Sequence, residues 1–288
     1  MKTFKQFFTE SKELLQEKLI TFGRKAYPKH GNVVLLAGGA GSGKGFVTGG
    51  LLGIEGKIFD VDEIKKMIMG SNKLKARIKK ETGIDVSKLN LKNPSDVSTL
   101  HNLAERYGVE QSRKASFFAD VVTKAEKPNV IFDVTLKSMS KLHNLSKSVM
   151  DLGYEKKNIH IVWVINDYKV AMKQNLARSR TVPEDILIDT HKGASQTMFE
   201  IMKSGGGVKK YMDGDIWFVF NQIGVDSDTD PVVSSLHPKI KGVFVKDANY
   251  IKVKEQGKSP MKMDEFDSVM MDKIKSYVPD IDSWQDVK

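Results

Sequence analysis

Short apolar runs alternate along the chain with stretches that carry hydrophobic residues at helical spacing. Asn32–Ala37 (NVVLLA), Lys57–Asp60 (KIFD), Asn129–Asp133 (NVIFD), Ile159–Ile165 (IHIVWVI) and Ile216–Phe220 (IWFVF) read as buried strands. Leu14, Leu15, Leu19 and Phe22 fall on one side of a helix over 10–22, which Gly23 can end. Leu136, Met139, Leu142, Leu145 and Val149 keep helical spacing, with Lys137, Lys141 and Lys147 off that stripe. Helices are also predicted through Leu52, over 64–69, from Pro94-Ser95-Asp96 into Tyr107, over about 110–126, over 167–178 and over Val182–Lys203.

Alternating buried strands and helices predict an α/β fold, a parallel sheet with helices on both faces. We divide the chain into an N-terminal helical arm (1–30), a main domain (31–224) and a small C-terminal α+β appendage (225–288). Residues 71–128 form a polar, helical insertion in the main domain. In the appendage, Gly242–Lys246 and Tyr250–Lys254 read as two strands around Asp247-Ala248-Asn249, and 262–277 as a helix. No internal repeat is visible.

Composition narrows the class. A hydrophobic content of 40% over 288 residues supports a packed core. The longest apolar runs, Val33–Ala37 and Ile161–Ile165, are far short of the roughly 20 residues of a membrane span. Met1–Phe8 lacks the continuous apolar core of a secretory signal. The absence of cysteine excludes disulfides and thiolate metal sites and fits a reducing compartment; a cytoplasmic location is the expectation. The net charge of +10 suits polyanionic partners, nucleic acid included. The lysines are dispersed among acidic residues, however, as on an ordinary solvated surface.

Chemistry concentrates after the first strand. Gly38-Gly39-Ala40-Gly41-Ser42-Gly43-Lys44 satisfies G-x-x-x-x-G-K between a strand and a helix, the context a phosphate-binding loop requires. Glycines let backbone N–H groups curl around phosphates, the helix N-terminus adds its dipole, and Lys44 reaches the outer phosphates. The next residue is Gly45, where a Ser or Thr hydroxyl would usually bind Mg²⁺. The metal would therefore be held through carboxylates and water. No N-K-x-D base-reading motif is present.

Asp60-Val61-Asp62-Glu63 lies at the carboxyl end of the second strand, the edge that faces ligands in an open parallel sheet. Transfer of a phosphoryl group to an alcohol needs a carboxylate to take the hydroxyl proton. Asp62 is the first candidate for this base and Asp60 the second. Asp60 and Glu63 also make a capping pattern for the following helix. Asp133 ends the strand NVIFD in the manner of a Walker B acid and is the candidate Mg²⁺ ligand, or else a strand-end turn cap. Thr135 follows near the same edge. Arg178 and Arg180 precede Thr181-Val182-Pro183-Glu184, whose Thr181 and Glu184 read as a capping box. Two arginines at a helix start can clamp a transferring phosphoryl group or form a solvated basic loop. His101, His143, His160 and His191 show no metal-ligand spacing and read as structural or surface residues.

GGAGSGKG, then DVDEIKK, VIFDVT and NLARSRTVPEDIL, together resemble the zeta-toxin-like branch of P-loop kinases over about residues 32–205. GGAGSGKG itself is similar to the phosphate loop of adenylate kinases. The resemblance implies a P-loop kinase-type fold and a hydroxyl of a small metabolite, nucleotide, nucleotide sugar or polynucleotide 5′ end as acceptor. ATP, with Mg²⁺, is taken as the donor because it is the commonest one. The resemblance implies Lys44 on the phosphates, Asp62 as base, and Arg178 and Arg180 as lid cations; the loop motif itself puts Gly39, Ala40, Gly41, Ser42, Gly43, Lys44 and Gly45 around the phosphates. Polynucleotide kinases of the superfamily carry an arginine three residues after the catalytic Asp; here that place is Lys65, which argues against a polynucleotide. The opening MKTFKQFFTE resembles the N-terminal segments of internal head proteins of large tailed phages. That likeness implies a phage-encoded chain in the host cytoplasm or associated with a capsid; on its residues alone the segment is an amphipathic arm. A virion component with a relic P-loop is the competing reading.

Overall fold

A computed structural model describes residues 20–25, 27–60, 67–177, 181–221, 243–245, 248–279 and 283–287. Among the described residues, seven strands form one sheet in the order β2-β3-β1-β4-β5-β7-β6. They are β1 (Val33–Ala37), β2 (Lys57–Asp60), β3 (Val130–Asp133), β4 (Ile159–Ile165), β5 (Ile216–Asn221), β6 (Val243–Val245) and β7 (Ala248–Lys254). The first five in the spatial order are parallel. β7 runs antiparallel to β5, and β6 antiparallel to β7.

Burial follows position. β1, β4 and β5 are buried at every residue, as central parallel strands with both faces covered must be. β2 is the edge, which is why its run is short and polar and why Ile58 is 47% exposed.

The helices are α1 (Lys44–Phe46, continuing as a π-helical stretch over Val47–Leu51), α2 (Asn72–Thr82), α3 (Pro94–Arg106), α4 (Val109–Val122), α5 (Met139–Asp151), α6 (Tyr168–Ala177), α7 (Glu184–Lys203) and α8 (Ser268–Tyr277). Period-two alternation sorts the strand residues into two cores. Val33, Leu35, Phe59, Phe132, Trp163 and Phe218 face one side, under α2, α3, α4, α5, α7 and α8. Val34, Leu36, Ile131, Val164 and Val219 face the other, under Val47 and Leu51 of α1, Leu52, Ile54, Ile20 and Phe22. Helices thus lie on both faces. The expected insertion supplies α2, α3 and α4, and α3 starts at Pro94 with the Asn93 side chain accepting from Ser95 N at 3.0 Å.

Three expectations change. The helix proposed over 10–22 falls mostly outside the described residues, and its last turn is not helical. Ile20 is extended, donating to Leu51 O (3.0 Å) and accepting from Gly53 N (2.9 Å). This seats Ile20 and Phe22 on the core and covers α1's end. The helix expected from Val182 begins at Glu184, and Thr181 does not cap it. Thr181 N donates instead to Leu91 O, and Asn175 grips Val182 through both its N–H (2.9 Å) and its carbonyl (2.6 Å). The segment 262–277 divides into a short turn, Met263–Glu265, and α8, which Asp267 caps through Met270 N.

The described residues beyond 224 join the same sheet and core. β7 pairs with β5 from Ile216 to Asn221. Trp284 is fully buried, stacks on Trp163 with centroids 5.7 Å apart, and donates from Nε1 to Ser195 O at 3.0 Å. Among the described residues no helix is long and apolar enough to cross a membrane.

Candidate phosphate-binding site

β1 delivers the chain to the carboxyl edge of the sheet, between β3 and β4, where Gly38–Lys44 turns into α1. Gly43 has φ 94°, and a Cβ there would collide with the Asn221 amide. At Gly38, φ is 142° and a Cβ would lie 2.5 Å from Val164 O. Glycine at these two positions is thus required by the surrounding protein, whatever the loop binds.

Side chains from the neighbouring elements hold the loop's carbonyls. His191 Nε2 donates to Ala40 O (3.0 Å), Asn221 Nδ2 to Ser42 O (3.0 Å) and, at longer range, Asn166 Nδ2 to Gly41 O (3.4 Å). Thr190 Oγ1 accepts from Ala40 N at 3.0 Å, and Thr135 O from Gly38 N at 3.2 Å. Peptide units are planar and trans, so a carbonyl held on one side sends the following N–H to the other. Holding Ala40 O and Ser42 O therefore turns the N–H groups of Gly41 and Gly43 away from His191 and Asn221. The N–H groups of Lys44 and Gly45 stand in the first turn of α1, where a helix offers no carbonyl partner. Such an arrangement suits an anion.

Lys44 Nζ lies between Gly38 O (3.0 Å) and Gly39 O (3.2 Å), and 3.9 Å from Asp133 Oδ1. Asp133 ends β3, and Asp60 is its register partner at the end of β2. Register partners on parallel strands leave the sheet on the same side. Here it is the side of Val34, Leu36 and Ile131, which α1 covers. The P-loop lysine and two strand-end carboxylates thus share one edge and one face. Carboxylate oxygens of this kind suit a hard cation such as Mg²⁺, which takes one or two carboxylates and completes its shell with phosphate and water. Among the described residues no group of three His, Asp or Glu side chains could hold a metal by itself. Gly45 brings no hydroxyl, and a Cβ there would meet open space.

Asp62, Arg178 and Arg180 lie outside the described residues. The structure describes Asp60, two positions before Asp62, and the Asn175–Val182 clamp that brackets the arginines.

Four residues of the loop's surroundings are not among the site residues the sequence predicts, and His191 reads there only as a structural or surface residue. Asn166 and Asn221 close the runs IHIVWVI and IWFVF, so a polar residue at the carboxyl end of a buried strand was the available signal. Thr190 and His191 sit mid-helix in α7 and carried none. Burial, reinforced by Lys44, pushes the His191 imidazole down to about 4, against the pull of its hydrogen bond to Ala40 O. The ring is therefore neutral at physiological pH, with the proton on Nε2.

No family model and no curated protein matches this sequence. Several solved structures are similar to it. One is a chain from the PezAT chromosomal toxin–antitoxin system of Streptococcus pneumoniae: 14% identity, 76% of this chain, 77% of that chain, TM-score 0.38. Another is a chain of the native AvrRxo1-ORF1:-ORF2 complex: 9% identity, 87% of this chain, 71% of that chain, TM-score 0.45. A third is the same complex with ATP: 10% identity, 73% and 57%, TM-score 0.40.

Proposed function

We propose that this protein is an ATP-dependent phosphotransferase that moves the γ-phosphate to a hydroxyl of a small metabolite, nucleotide or nucleotide sugar. The observation that carries this reading is the placement of Lys44, 3.9 Å from Asp133, within a glycine loop whose Ala40 and Ser42 carbonyls are held by the His191 and Asn221 side chains. A loop used only as a turn would need no lysine at its centre and no carboxylate beside it.

In this mechanism, the N–H groups of Gly41, Gly43, Lys44 and Gly45 bind the donor's phosphates. Lys44 exchanges its loop carbonyls for phosphate oxygens. Asp133 would hold Mg²⁺, which would supply positive charge to neutralise those oxygens. Asp62 takes the acceptor's hydroxyl proton, with Asp60 the second candidate for that step. The acceptor oxygen forms a bond to the γ-phosphorus as the bond to the β–γ bridging oxygen breaks, and ADP leaves with that electron pair. Arg178 and Arg180 supply positive charge to the transferring group.

The test is transfer from γ-labelled ATP with Mg²⁺, offering a bacterial metabolite extract in one tube and mixed oligonucleotides in another. Label should appear with the metabolites, vanish in Lys44→Ala and fall by orders of magnitude in Asp62→Asn. Label confined to the oligonucleotides would make the chain a polynucleotide kinase. ATP bound without transfer in either tube would leave a nucleotide-binding or virion component.

A further inference from the structure

We propose that Thr190 and His191 of α7 are positioning residues that aim the Gly41 N–H at the nucleotide's phosphates. The proposal rests on nucleotide binding at this loop, as put forward above.

Two consecutive helical residues take both polar groups of one loop residue. Thr190 Oγ1 accepts from Ala40 N, and His191 Nε2 donates to Ala40 O, each at 3.0 Å. The threonine's role is fixed, because its hydroxyl donates to Leu187 O at 2.7 Å and so meets Ala40 as an acceptor. The neutral ring of His191 supplies the single proton its contact needs. With the Ala40 carbonyl drawn to His191, planarity sends the Gly41 N–H the opposite way. With the Ala40 N–H drawn to Thr190, the Gly39 carbonyl turns inward, where it accepts from Ser42 N (3.2 Å) and Lys44 Nζ. The pair thus sets two successive peptide planes.

Glycine placement supports this independently. Gly39 stands at an unrestricted position of G-x-x-x-x-G-K, yet a Cβ there would overlap the His191 ring. Gly193, which costs a helix interior about 1 kcal/mol relative to Ala, is explained by the same close approach. Its Cβ would lie 2.5 Å from Lys137 Cβ and 2.9 Å from Lys137 O. α7 is thus pressed against the segment that follows β3, as well as against the P-loop.

The experiment is the Kd for ATP with Mg²⁺ by calorimetry, beside the melting temperature of the nucleotide-free protein. Thr190→Val keeps the shape and removes the acceptor; His191→Leu removes the donor. Each should raise the Kd about tenfold, the worth of one hydrogen bond, while Thr190→Ser and His191→Gln stay within about threefold of wild type. Should His191→Leu fail to fold, the isosteric Thr190→Val decides alone. A Thr190→Val protein with a lower melting temperature and an unchanged Kd would reduce the pair to a structural brace and overturn the proposal. Wild type that binds no ATP would overturn the proposed function and this inference together.

Discussion

Asp60 and Asp133 are register partners at the carboxyl ends of β2 and β3, and Asp133 Oδ1 lies 3.9 Å from the Lys44 ammonium. A charge at about 4 Å is worth between about 1 and 4 kcal/mol, from water to a partly shielded site. If the loop binds ATP as proposed, the Asp133 carboxylate would repel a bare triphosphate and favour one that carries a divalent ion. Asp133→Asn should therefore bind metal-free ATP at least as well as wild type, and the gain in affinity on adding Mg²⁺ should shrink about tenfold. Titrating ATP with and without Mg²⁺ checks this. An intact Mg²⁺ effect in Asp133→Asn would remove Asp133 from the metal's shell.

The parts of this site that could be read from the sequence are those whose chemistry is local. A glycine loop between strand and helix, and a carboxylate closing an apolar run, are set by adjacent residues and so leave a pattern. Thr190 and His191 reach the loop from α7, about 150 positions further along the chain, and nothing in their own neighbourhood distinguishes them from other helical residues. The capping box at Thr181 misled for a related reason: its N–H is engaged by Leu91, a tertiary partner no local spacing reveals. In the same way, five parallel strands were visible as apolar runs, but the pairing of β7 onto β5 and the seating of Trp284 on Trp163 depend on chain closure.

Acid should weaken this fold through two histidines. His160 is fully buried, accepting on Nδ1 from Asp215 N (2.8 Å) with Nε2 3.2 Å from Asn32 Oδ1. Burial first, then Lys252 and Lys254, pushes its pKa down to about 3; that of His191 is about 4. Both lie below the unfolded value near 6.5. As pH falls below about 6.5, the unfolded chain binds protons that the folded one refuses, so stability drops by about 1.4 kcal/mol per pH unit per histidine. The loss ends only below the folded values. Asp215, raised by burial, acts with the opposite sign at lower pH. Urea midpoints between pH 7.5 and 5 should fall steadily, and His191→Gln should flatten the slope. An equal slope in that variant would mean that His191 is already charged in the fold.

The C-terminal stretch can be tested through one side chain. Trp284 stacks on Trp163, lies edge-on to Phe199 and Phe218, and bonds Ser195 O. Truncating a buried tryptophan costs about 3–5 kcal/mol, and here the Ser195 carbonyl on α7 also loses its side-chain donor. Trp284→Ala should lower the melting temperature of the whole protein in a single transition. A separate low-temperature transition, with the main melt unmoved, would make residues 225–288 an independent appendage.

Gly45 offers the converse test, since the surrounding protein gives no reason for a glycine there. A Cβ at this position meets nothing within 4 Å, and Gly45 is not among the positive-φ glycines. Serine is a better helix former than glycine by a few tenths of a kcal/mol, so Gly45→Ser should fold at least as stably as wild type. Its hydroxyl would stand where P-loop proteins usually present one to Mg²⁺. If Asp133 and water hold the metal in this chain, the added ligand should raise the Mg²⁺-dependent part of ATP affinity by about threefold or more. Calorimetry at matched free Mg²⁺ reads this directly. A Gly45→Ser protein that melts normally but no longer binds ATP would show that the phosphates approach the backbone at Gly45 too closely for any side chain, and that the glycine is kept for the ligand.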